Sequence, residues 1–460
     1  MLNQPVTSQA KASVDIRMPA GIGNAYAFQV FNTISFSIVL GTPMILYFKH
    51  LEASATVLGI VAALPNLLNI LQIPAAQFVE QVGYRAFVLR GWSVRSLFIL
   101  AMALVPLLPV KIDLPTRIAL MLFLLFAYNA SRGISLCGFL PWVTHLVPEV
   151  VRGRYVSRDQ MSGMLATLMT TVGAALYLGR GSSSLAYATL LFVSFLGGII
   201  SVIFLVRMPD VPVLRQTHGD RTVPWKEMLK YSPFRRLMFY NVVINIAFGA
   251  SGVFWVPLLR DLFQTSDRLI MQILAIYFAV AVVTLLGFGR VIDRVGSRPL
   301  LALAGLTLIV HFMSWAALAA HVLPYSIGTF VWIQSIGAIG APLFTLANTR
   351  LAMATVPEMG RSHFFALYTV INSLTLGIVP VVWGILLDSL QGWHATWGLW
   401  QWNQYALLYC AMTLTIVASQ FALHRLAEAR AMTTEQFFRE LFVETPSRAL
   451  SRLLWRRPFS

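Results

Sequence analysis

The chain has 460 residues, of which 57% are hydrophobic and only 11% charged, whereas an ordinary soluble domain carries about 25% charged residues. That composition excludes a soluble enzyme, and apolar runs near the ~20-residue length of a membrane span recur from end to end, so the sequence reads as an all-α polytopic membrane protein. The formal net charge of +16 is a topological signal and an attraction for anionic lipid; no basic module with interleaved aromatics accompanies it that would take nucleic acid.

Residues 1–21 are polar and mixed, unlike a secretory signal, and read as a cytoplasmic N-terminal segment. Twelve apolar runs follow, at 22–48, 56–79, 89–110, 117–146, 159–179, 185–206, 237–259, 269–291, 299–319, 324–350, 362–387 and 402–424. With both termini on one side, the segments facing the other side hold only six of the 34 Lys and Arg: Lys49, Lys111, Arg117, Arg180, Arg260 and Arg268. The excess of positive charge marks the side of the termini as cytoplasmic. The longest inter-span segment, 208–236, is polar, carries Pro209, Pro212, Pro224 and Pro233, and separates the runs six and six. The chain thus divides into an N-terminal bundle at 22–207, a cytoplasmic linker at 208–236, a C-terminal bundle at 237–424 and a tail at 425–460. In that tail, 434–443 and 446–458 are candidates for a surface-lying amphipathic helix. Trp393, Trp397, Trp400 and Trp402, before the last run, read as an interfacial aromatic belt.

All 18 Asp and Glu fall in loops or at span ends, which argues against a buried acid as proton relay or cation site. The charge that does lie deep is Arg132, midway along the fourth run. A guanidinium there costs several kcal/mol unless it faces a cavity or a partner, about 3 kcal/mol on insertion scales. Without an acid at that depth, a bound anionic group is the economical counter-charge, since the planar fork suits carboxylate or phosphate. Tyr128 shares its helical face at a spacing of four. The alternative is satisfaction by helix carbonyls and amides such as Asn129 or Asn66. Arg95, early in the third run, reads as interfacial. Further polar residues at helical spacing are Gln29, Asn32 and Ser35 in the first run, Asn66 and Asn69 in the second, and Asn241 and Asn245 in the seventh. The tenth offers Gln334 and Ser335, and the eleventh Tyr368 and Asn372. They are candidates for a cavity wall or for interhelical hydrogen bonds, which contribute only about 0.6 kcal/mol per pair.

One pattern occurs twice. AQFVEQVGYR runs from Ala76 to Arg85 and GRVIDRVGSR from Gly289 to Arg298, with Gly83 and Gly296 separated by 213 positions. The same offset relates Asn32 to Asn245, and Pro43 to Pro257 within one residue. Val147, Pro148, Glu149 with Gly153, Arg154 likewise returns as Val356, Pro357, Glu358 with Gly360, Arg361. Two loop signatures at nearly one offset argue for duplicated six-helix halves, as transporters use.

At these residues the sequence resembles the major facilitator superfamily, over essentially the whole chain. GRVIDRVGSR is similar to that family's loop signature G-x-x-x-D-R-x-G-x-R; the first copy departs from it at Ala76, Glu80 and Gln81. The resemblance implies two pseudo-symmetric six-helix bundles around a central path, lined or gated by the first, second, fourth, seventh, tenth and eleventh spans. It also implies a cytoplasmic gate built from Glu80, Gly83, Arg85, Glu149 and Arg154 in the first half and Asp293, Arg294, Gly296, Arg298, Glu358 and Arg361 in the second. The ninth span packs outside the cavity in this family, so His311 reads as structural.

The expected function is secondary transport by alternating access of a small, polar, anionic solute, with Arg132 at its site. Efflux of amphipathic compounds, or a non-transporting receptor or assembly factor on the same fold, are the alternatives. An enzyme is not expected, because the eight His are scattered and no acid-base constellation accompanies them. Cys137 and Cys410 lack metal-ligand spacing, so neither metal nor cofactor is expected. The partners expected are a small-molecule substrate and the lipid bilayer, for a monomer in a bacterial inner membrane.

Overall fold

The computed structural model describes residues 21–109, 111–147, 149–179, 183–211, 230–288, 295–355, 361–426 and 436. Among these, eleven helices are long and apolar enough to cross a membrane, and the bent pair Ser232–Ser251 and Trp255–Phe263 makes a twelfth. The linker residues 212–229 and the two tail segments, save residue 436, lie outside the described residues.

Several helices outrun their apolar runs. The third span starts at Tyr84 and the fifth at Glu149, well before 89 and 159. A charged residue ends a hydrophobic run but not a helix, whose backbone bonds are internal and whose first turns can stand outside the bilayer. The first and seventh spans are broken at related places. Ile22–Val39 gives way to Thr42–His50 at Gly41, and Ser232–Ser251 to Trp255–Phe263 across a 40° bend. Pro43 and Pro257 each sit in the opening turn of the second segment, where a missing N–H costs nothing because that donor has no intrahelical acceptor. Gly83 and Gly296 take φ of +88° and +92° at the sharp turns before the third and ninth spans, the left-handed region open to glycine.

Across the halves, the second span lies along the eleventh and the fifth along the eighth. The first of these contacts is backbone to backbone. A Cβ at Gly59 would collide with the Pro380 carbonyl, and one at Gly384 would come within 2.5 Å of the Ala55 oxygen, the close approach that small residues allow in membranes.

An even number of crossings puts both chain ends on one face. Among the described residues, hydrogen bonds between the halves are found at the opposite face. There Lys49 meets Asp261 at 2.7 Å, Tyr187 donates to Asp267, and Asp388 accepts the backbone N–H groups of Ala55 and Thr56, both at 2.8 Å. Asp261 and Asp267 are held in turn by Tyr405 and Arg260. Near the termini, Arg85 donates to the Val206 carbonyl and Trp142 to that of Pro209, and Arg236 to that of Arg425 and Arg298 to that of His424, each within its own half.

The four tryptophans bring an element the hydropathy reading did not anticipate. His394–Trp397 pairs antiparallel with Trp400–Asn403, and the hairpin docks on the ninth span through Gln401 N–H to Ala320 O and Asn403 to Ala319 O. Trp400 and Trp402, on one face of their strand, stack at 5.4 Å.

Candidate functional site

A cavity of about 660 Å³ lies between the halves. Its position follows from the broken first and seventh spans, whose bends at Gly41 and Gly252 form part of its wall.

The fourth span, Leu114–Leu146, places Arg132 on this wall. At Gly133 its backbone abuts the Leu68 carbonyl so closely that any Cβ would collide. Leu68 begins the 3₁₀ turn Leu68–Leu71 in the second span. Arg132 Nη1 consequently donates to Pro65 O and Asn69 Oδ1, both at 3.3 Å. These contacts are long for N–H···O bonds. Carbonyl and amide contacts thus restrain one nitrogen, through Asn69 rather than Asn129 or Asn66, while the side chain borders the cavity.

Arg95 corrects the interfacial reading. It lies three turns into the helix that begins at Tyr84, is only 3% exposed, and lines the same cavity. Its guanidinium donates to Asn32 Oδ1, sits 4.3 Å over the Trp92 ring, and leaves Nε–H without an acceptor. Trp92 Nε1 donates to the same Asn32 oxygen at 3.3 Å. Asn32 accordingly fixes two donors, and the ring supplies a cation–π contact of about 0.5–2 kcal/mol. Among the described residues neither Arg95 nor Arg132 is ion-paired; the recorded pairs sit at the face opposite the termini.

Asn32, Arg132 and Gln334 meet at the cavity; the other sequence candidates are placed elsewhere. Gln29 packs beside Gly163 of the fifth span. Tyr128 and Asn129 are fully buried, and Asn129 donates to the Leu125 carbonyl of its own helix. Asn66 is half-buried in the second span outside the lining. In the second half, Asn245 donates to Asn372 at 2.6 Å, and Asn348, which the sequence reading missed, donates to both Asn241 and Tyr368. These amides tie the seventh, tenth and eleventh spans together. His311 borders the cavity, where the resemblance put the ninth span outside it, with Nδ1 held by the Ile333 carbonyl at 2.8 Å.

Of the gate candidates, Gly83, Gly296, Arg85 and Arg298 are placed as above. Asp293, Arg294 and Glu358 lie outside the described residues, as do the side chains of Glu80, Glu149, Arg154 and Arg361. Among the described residues no cluster of three His, Cys, Asp or Glu could hold a metal.

Twelve crossings in two packed halves around a central cavity define a membrane carrier. The model of the Major Facilitator Superfamily matches residues 25–320 and again 237–459, and the chain belongs to that family. It is an integral membrane protein of the secondary-transporter kind. No curated protein sequence matches it. Among solved structures, a mutant of the nucleoside transporter NupG is similar at a TM-score of 0.69 and 12% identity, over 89% of this chain and 100% of that one. The xylose transporter XylE from E. coli, inward open, gives 0.65 and 14% over 90% and 97%. An inward-facing bacterial homologue of the iron transporter ferroportin gives 0.64 and 12% over 88% and 97%. At such identities the likeness shows the fold alone.

Proposed function

We propose that this protein carries an anionic solute by alternating access, bound at Arg95, Arg132 and Asn32 with Gln334 across the cavity. The observation that carries the reading is the pair of guanidiniums on one cavity wall without a carboxylate partner among the described residues. Burying such charges is tolerable when a counter-charge arrives, and guanidinium N–H donors bind carboxylate or phosphate with charge-assisted bonds. The polar character expected of the solute has less support, because most of the amides bond one another away from the cavity.

In this reading the halves 22–207 and 237–424 rock about the linker 208–236 as a monomer, with residues 1–21 and the tail 425–460 cytoplasmic in a bacterial inner membrane. The bonds at Lys49, Asp388 and Tyr187 then seal the extracytoplasmic side, and the repeated loop signatures would close the cytoplasmic side in the opposite state. The test is flux into proteoliposomes of anions found by a thermal-shift screen, because a ligand that binds the native state raises its stability. Arg132→Gln is expected to lose transport while folding survives. Unchanged transport by that variant would overturn the anion site.

A further inference from the structure

The cavity wall is chemically divided between the two halves, and from that division we infer the substrate class: an organic anion with a flat, aromatic body. The inference rests on the anion reading above and deepens it.

The first half supplies the charge. Its other cavity polar groups include the hydroxyls of Thr167, Thr170 and Thr171, and each already donates to a carbonyl one turn back. Beside the amides of Asn32 and Gln334, the guanidiniums of Arg95 and Arg132 are the charged donors that border the cavity.

The second half supplies rings. Phe248, Trp255, Tyr277, Phe278, Phe312 and Trp315 all border the cavity. Two of them are braced from behind: Phe248 stacks on Phe344 at 4.8 Å and Trp315 on Tyr409 at 5.9 Å. Two of the polar groups on this side are engaged with backbone, His311 with Ile333 and Ser251 with Phe248.

The halves arose on one pattern yet differ where it matters. Asn32 faces the cavity with Arg95, whereas its repeat partner Asn245 bonds Asn372. A phosphate ion, hydrated on all sides, would shed water against the rings and find few hydrogen-bonding groups among them, Gln334 and the Tyr277 hydroxyl. A sugar carries no charge to meet the guanidiniums. An aromatic acid recovers both terms, its carboxylate on the guanidiniums and its ring faces against the aromatic wall. A cavity of about 660 Å³ lies in the range of pockets for drug-sized solutes, roughly 300–1,000 Å³.

The experiment measures binding to the purified full-length chain by titration calorimetry, with 2-naphthoate and indole-3-acetate as aromatic acids, 2-naphthamide as the neutral isostere, and acetate and inorganic phosphate as small anions. Aromatic acids are expected to bind about tenfold or more tightly than either the amide or the small anions, the effect of one charge-assisted hydrogen bond or one buried ring face. Arg132→Gln should weaken 2-naphthoate by about tenfold and leave 2-naphthamide unchanged, and Arg132→Lys, which keeps the charge without the fork, should fall between. Trp255→Leu should weaken 2-naphthoate and not acetate. Each variant is compared at a melting temperature matching the parent, and Arg132→Lys stands in if Arg132→Gln does not fold. If acetate or phosphate binds as tightly as 2-naphthoate and depends on Arg132, the aromatic body is wrong and the anion site stands. If amide and acid bind alike and Arg132→Gln alters neither, both readings fall. Failure of both aromatic acids to bind at millimolar concentration overturns the inference.

Discussion

Asp388, at the end of the eleventh span, reaches across to the other half and accepts two backbone N–H groups, from Ala55 and Thr56, at 2.8 Å each. These donors open the helix Ala55–Leu67, where first-turn N–H groups have no intrahelical acceptor and the helix dipole favours a negative charge. A hydrogen bond to a charged group contributes about 1.5–3 kcal/mol. The site is half-buried and partly hydrated, so the lower end applies, giving about 3 kcal/mol for the pair. Asp388→Ala should therefore raise the open-to-closed ratio at this face by up to about 100-fold. Asp388→Asn keeps one neutral acceptor, roughly half as strong, and should raise it about 40-fold. Spin labels at Lys111→Cys and Gln391→Cys, one per half at this face, with Cys137 and Cys410 replaced, report the distance by electron–electron resonance. The long-distance population should grow in the order parent, Asp388→Asn, Asp388→Ala. Identical distance distributions in all three, under conditions where Gly384→Val does open the face, would refute the latch.

That Gly384→Val control is itself a prediction: its side chain meets the Ala55 carbonyl at 2.5 Å, a backbone clash no rotamer relieves, so it should disfavour the closed face by about 1–3 kcal/mol in the same distance measurement. Lys49→Asp should open this face by only a few-fold, since Asp261 is 39% exposed and such pairs contribute about 0.2–1 kcal/mol; adding Asp261→Lys should restore the parent distribution, and failure to restore it would show that the pair does not act across the halves. Asn245→Ala should lower the unfolding free energy slightly, by about 0.6 kcal/mol, with calorimetric affinity for 2-naphthoate unchanged. Asn32→Ala should weaken that affinity, because Arg95 and Trp92 lose their common acceptor. Equal behaviour of the two Asn variants would contradict the division of roles between the repeats.

The number of spans, their grouping, the duplication and the glycine turns could be read without coordinates. Each rests on a local cause: a run of ~20 apolar residues must bury its backbone in a helix, and a left-handed turn selects glycine. Arg132 was also legible, since a deep guanidinium stands out in an apolar run. Arg95 was not. The apolar run begins at about 89, which leaves Arg95 within two turns of its end, while the helix starts at Tyr84 and carries Arg95 inward to Asn32 and Trp92.

What tertiary structure alone decided is the direction each polar side chain faces. Asn32 and Asn245 have the same repeat position, yet one borders the cavity and the other joins two helices, because helical spacing records a stripe and not the neighbour it meets. The closure at the face opposite the termini was equally hidden. Lys49, Asp261 and Asp388 read as loop and span-end charges, and Asp388 meets its partner 333 positions away. Local sequence dictates helices through bonds within a few residues, whereas a cavity, a latch and a chemically divided wall exist only once distant helices have taken their rotation against one another.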